Sequence, residues 1–70
     1  MNVERFKLIR LYSGMNQRDF ADFVGLSTAT VAHIELGNRN VTPNVQAKIA
    51  AKFELTEDFL TYVKNYRRLS

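Results

Sequence analysis

The chain contains no cysteine, so neither a disulfide nor a thiolate metal site is open to it. No apolar run approaches the roughly 20 residues that a membrane-crossing helix needs, and Met1 is not followed by a signal-peptide pattern. A cytoplasmic protein without a membrane partner is expected. There is one histidine, His33, with no second histidine and no clustered carboxylates to complete a metal site. A cysteine nucleophile, a histidine–carboxylate pair and a phosphate-cradling glycine loop are all missing. These gaps argue against an enzyme and give no reason to expect a cofactor or a small-molecule ligand. Glycine and proline are scarce as well, with three of one and a single copy of the other. Each falls where a helix is expected to start or stop.

What is present suits a small globule. Hydrophobic residues make up 46% and aromatics 11% of 70 residues, enough for one core and one domain over residues 1–70. A domain of this size buries only about 60% of the surface its unfolded chain exposes, so its packing must be economical. The net charge of +3 points mildly toward a polyanionic partner. Its distribution is uneven. Between Met15 and Gly37, Arg18 stands alone against Asp19, Asp22 and Glu35. One base against three acids leaves that stretch at −2, so the remainder carries +5.

Helical punctuation divides the chain into five. A first helix is expected over residues 2–13, with Val3, Phe6, Ile9 and Ser13 on one face and Leu8 and Leu11 off it, exposed or at a contact. Gly14 stands at its end, in the left-handed conformation that glycine adopts without a Cβ penalty. Asn16 is a suitable N-cap for a second helix, with Asp19 in the first turn and Phe20, Ala21 and Val24 inward. Gly25 ends it. Ser27 caps a third helix, Thr28 to about Glu35, with Val31 and Ile34 buried and Leu26 just outside. Thr42-Pro43 is a start signal for a fourth, because the missing N–H of proline is harmless at the first helical position. Val45, Ile49, Ala50 and Phe53 are expected on its inner face. Thr56 caps a fifth, with Glu57 and Asp58 in its first turn, Phe59, Leu60 and Val63 inward, and Arg67 and Arg68 near its end. Tyr62, Tyr66 and Leu69 suit either a dimer contact or a cover for one end of the core. No strand, repeat or linker is evident.

The stretch Gln17–Gly37, QRDFADFVGLSTATVAHIELG, organises the rest. With it, the chain resembles the Cro and lambda-repressor-like (XRE-type) helix-turn-helix domains from about Phe6 to Leu60. Gln17 matches the glutamine that opens the second helix of that family, Phe20-Ala21 its large-apolar/alanine pair, and Gly25 its turn glycine. Val31 and Ile34 match the buried pair of the recognition helix, and Glu35 with Gly37 its ending. Ile49-Ala50, Phe53, Thr56, Asp58 and Leu60 match the last two helices. The resemblance implies an all-α, compact five-helix lambda-repressor-like DNA-binding domain with a central helix-turn-helix. The spacing has physical reasons: two helices crossing steeply over a tight turn need a small residue such as Ala21 where they touch.

Several residue roles follow from the resemblance. Base-edge contacts in the major groove would fall to Ser27, Thr28, Ala29, Ala32 and His33. Asn16 and Gln17 would meet phosphate at the start of the second helix, and Asn38, Arg39 and Asn40 would reach the backbone from the following loop. Ser27 reads equally well as a plain N-cap, His33 as a solvated helix residue, and the Asn38–Asn40 loop as an ordinary polar turn. Arg10 and Glu35 match positions that pair in some members of the family, tying the first helix to the recognition helix.

Two departures open a second reading. The recognition face lacks the arginine, lysine or glutamine that makes strong bidentate base contacts, and the motif itself is acidic. Phe23 and Leu36 also put apolar groups where the family commonly has polar ones, with Leu26 close by in sequence. Hence two functions are carried forward. One is a small sequence-specific transcriptional regulator of phage or bacterial type that binds double-stranded DNA, with a homodimer on a two-fold site. The other is an antirepressor or modulator that binds a partner repressor protein through Phe23, Leu26 and Leu36.

Overall fold

The N-terminal helix begins where Asn2 offers its side-chain oxygen to the N–H of Arg5 at 2.7 Å. The computed structural model describes residues 1–69, and among them it contains five α-helices and no strand. They are α1 (Val3–Tyr12), α2 (Gln17–Val24), α3 (Thr28–Glu35), α4 (Pro43–Ala50) and α5 (Glu57–Leu69). Asn16, Ser27, Thr42 and Thr56 each accept the backbone N–H three residues on, so every helix starts on a side-chain cap. Such a cap satisfies one of the donors that a helix start leaves unpaired, worth about 1 kcal/mol.

The core draws on all five helices. Phe6, Leu8 and Ile9 enter it from α1, Phe20, Ala21 and Val24 from α2, and Val31 and Ile34 from α3. Val45 and Ile49 come from α4, and Phe59 and Val63 from α5. Phe6 meets Phe20 edge to face at 5.7 Å between ring centroids. A second aromatic group joins Tyr12, Phe53, Phe59 and Tyr62, with Tyr12 5.3 Å from Phe59 and 5.2 Å from Tyr62. Each buried phenylalanine stabilises the fold by about 1.5–3 kcal/mol through lost water contact.

Several inward or outward assignments differ from the periodicity. Leu8 is buried, not exposed, because α1 packs against both α3 and α5 and therefore has two covered sides. Ala50 is exposed at the end of α4, and Phe53 lies beyond that helix, partly buried in the turn that follows. Leu60 is 48% exposed: Phe59 and Val63, four apart, take the inner face of α5, and the next residue is rotated away by about 100°. Val3 and Ser13 are only partly buried. Tyr62 packs on the core, whereas Leu69 is 89% exposed.

Candidate nucleic-acid interface

The local sequence builds a short helix, a tight reversal and a second short helix. Gly25 ends α2 at φ 81°, ψ 35°, and its N–H and that of Leu26 both reach the carbonyl of Ala21, at 2.9 and 2.8 Å. A residue with a Cβ meets steric resistance in this left-handed region, which explains glycine. Ala21 is buried on α2, the helix that packs against α3. Lys48 reaches in from α4 and donates to the carbonyl of Gly25 at 3.1 Å, fastening the fourth helix to the turn.

The rotation of α3 is fixed from inside. Val31 and Ile34 are fully buried, and this turns Thr28, Ala29 and His33 to the surface while Ala32 stays half-buried. Ser27, at the head of the helix, is exposed. The expected base-edge residues therefore lie on the outward side of one helix, with Ala32 partly withdrawn. Asn38, Arg39 and Asn40 are exposed in the loop that follows. Arg39 folds back along α3, and its Nη1 donates to Thr30 Oγ1 at 3.2 Å. Thr30 Oγ1 is in turn 2.8 Å from Ser27 Oγ, with either hydroxyl able to donate.

Behind this face lies a polar knot that joins three helices. Arg10 of α1 forms a fork with Glu35 of α3, Nε to Oε2 at 2.6 Å and Nη2 to Oε1 at 2.8 Å. Its Nη1 donates to the carbonyl of Met15 at 3.0 Å, and Gln17 of α2 donates to Glu35 Oε1 at 3.2 Å. The two charged side chains retain only 12% and 6% of their exposure. Burial pushes the Glu35 carboxyl upward, but hydrogen bonds from Arg10 and Gln17 and the charges of Arg10 and Lys7 outweigh it, leaving a net shift below the ordinary value. The hydrogen bond to Glu35 raises Arg10 in return, against the opposing effect of burial.

This knot alters the charge argument. Glu35 is neutralised by Arg10 from outside the motif, while Arg39 and Lys48 come to the motif from its flanks. The surface that α2 and α3 present is therefore less acidic than their own sequence. Gln17 sits half-buried with its amide engaged by Glu35, and Asn16 has its side-chain oxygen in the α2 cap. Thr30 and Lys48 escaped the sequence reading. The Ser27-x-x-Thr30 spacing hinted at the first, but nothing local marks Lys48, which acts across 23 residues.

A sequence profile described as "Helix-turn-helix" matches residues 6–60. The chain belongs to the Cro/lambda-repressor-like, XRE-type helix-turn-helix family. Membership makes it a domain of a DNA-binding regulatory family, not of an enzyme family. No curated protein and no solved structure matches it. No described helix of this helix-turn-helix domain is long and apolar enough to cross a membrane.

Proposed function

We propose that the protein is a small sequence-specific transcriptional regulator of phage or bacterial type that reads the major groove of double-stranded DNA with α3. The observation that carries this reading is the burial of Val31 and Ile34, which turns Thr28, Ala29 and His33 outward on the helix that Arg39 flanks. Thr28 offers a hydroxyl and a methyl to a base edge, Ala29 a methyl for a thymine, and His33 a ring nitrogen. Ser27, Asn38 and Asn40 add polar groups at the rim for sugar and phosphate.

The experiment is a gel shift of the purified protein against the DNA flanking its own gene, followed by selection from randomised duplexes. A retarded band and an enriched motif are expected, and Thr28→Ala or His33→Ala should change the preferred bases. Failure to retard any duplex at low salt, where phosphate contacts are strongest, would sink the proposal.

A second reading is supported by the exposure of Phe23 at 41% and Leu36 at 73% on the same motif. It is an antirepressor or modulator that binds a partner repressor protein through those side chains. Leu26 contributes less to such a surface, because it is partly buried against the core. A band shift obtained only when the neighbouring gene's protein is added favours this alternative.

A further inference from the structure

The N-cap Ser27 and the α3 residues Thr28, Ala29, Ala32 and His33, the expected base-edge set, include no arginine, lysine or glutamine. DNA readers of this kind usually take their strongest discrimination from a side chain that meets two acceptors at once. The loop after α3 contains one planar fork, Arg39, and the structure does not leave it trailing. It turns back nine positions to Thr30, in the first turn of α3, and donates through Nη1 at 3.2 Å. Arginine cannot accept, so Thr30 must give Arg39 a lone pair. The Thr30 hydroxyl is itself placed by the Ser27 hydroxyl 2.8 Å away, and Ser27 is fixed by capping α3.

One arrangement follows from these bonds. With Nη1 turned to Thr30, the opposite edge of the guanidinium, Nε–H and Nη2–H, forms no bond to the described residues. That edge carries two parallel donors with the spacing of two acceptors on one group. The geometry points to Arg39, held by Thr30, as the bidentate reading side chain of this interface, supplied by the loop because the recognition helix has none. Its target is the O6 and N7 acceptor pair of one guanine. Thr30 is a positioning residue: it touches no DNA in this scheme and acts by holding the fork alongside α3. The inference rests on the DNA-reading function proposed above.

The test is fluorescence anisotropy on the duplex selected by the parent protein, with Arg39→Ala, Arg39→Lys, Thr30→Val, Thr30→Ser and the Arg39→Ala/Thr30→Val double variant. Arg39→Ala and Arg39→Lys should each weaken binding about tenfold or more, because lysine keeps the charge and loses the fork. Thr30→Val should weaken it about threefold to tenfold through the freedom returned to Arg39, with Thr30→Ser close to the parent. The double variant should be no weaker than Arg39→Ala alone, a coupling that a purely structural role for Thr30 would not produce.

The source of the acceptors is separated by two further duplexes. Replacing one guanine by 7-deazaguanine removes the Arg39 contribution if a base is read. Loss of that contribution with a neutral methylphosphonate instead, together with a salt slope lowered by about one in Arg39→Ala, would mean that Arg39 holds a phosphate and would overturn the base assignment. Full affinity in Arg39→Lys, or additive losses in the double variant, would overturn the assignment while leaving the DNA-reading function in place. Absence of any duplex binding by the parent would remove both.

Discussion

Arg10, Gln17 and Glu35 show how far one residue's role depends on where its partners come from. Taken singly, Gln17 is a polar residue at the head of α2 and Glu35 an acid that makes the motif negative. In the folded chain they form one knot with Arg10 that locks α1, α2 and α3 together. Breaking a largely buried ion pair from one side leaves the other charge without compensation, so Arg10→Met should cost about 3–5 kcal/mol in chemical denaturation. The double variant Arg10→Met/Glu35→Leu should recover most of that loss, because apolar replacement of both partners is often nearly neutral.

The same pair predicts a pH response. The Glu35 carboxyl lies below its ordinary value of 4.5 in the folded chain. Its contribution is therefore complete above the unfolded value and disappears as the pH falls through the folded one. Thermal melts across acid pH should show a loss of stability below about pH 4.5 that is reduced in Arg10→Met/Glu35→Leu. Identical acid profiles for parent and double variant would contradict this account.

At the level of elements, the reversal at Gly25 sets the angle between α2 and α3. A Cβ built on Gly25 would meet no atom within 4 Å, so substitution there faces no clash. The cost of Gly25→Ala is then conformational and should amount to about 1–2 kcal/mol, read as a shift of the denaturation midpoint. A loss well above that range would mean that the turn is constrained by something other than φ.

Element starts were legible because capping is local. Asn16, Ser27, Thr42 and Thr56 each bond the N–H three residues ahead, and Pro43 marks the first turn of α4. Inner faces were less so. Leu8, expected exposed or at a contact, is core, and Leu60, expected inward, is exposed, because a single apolar stripe does not reveal how many neighbours a helix has. α1 is covered by both α3 and α5, whereas α5 packs chiefly on α1.

At the scale of the whole molecule, charge and exposed apolar surface decide which partner is plausible. The sequence makes the helix-turn-helix stretch two units negative, yet Arg10 cancels Glu35 and Lys48 and Arg39 bond back onto the motif. That redistribution favours the DNA-reading proposal over the partner-binding one. Phe23 and Leu36 remain the features that favour a protein partner. Phe23→Asp should cost about 1–2 kcal/mol and leave the fold intact, since the side chain is 41% exposed but still partly covered and the new charge falls in the last turn of α2. If the partner reading holds, the same change should abolish co-purification with a cognate repressor. Retained complex formation by a folded Phe23→Asp variant would remove the main support for that reading.

The sequence by itself determined the five-helix order, the caps, the turn glycine and the buried pair Val31 and Ile34. Each of these is a short-range pattern whose physics is contained within a few neighbouring residues. Its match to the family's spacing carried the fold as well. Only the tertiary structure decided which acid is neutralised, where Arg39 lies, how Lys48 fastens the turn, and that Leu8 is core while Leu60 is surface. Those outcomes join residues 9 to 25 positions apart, a separation over which packing, and not local preference, chooses the neighbours.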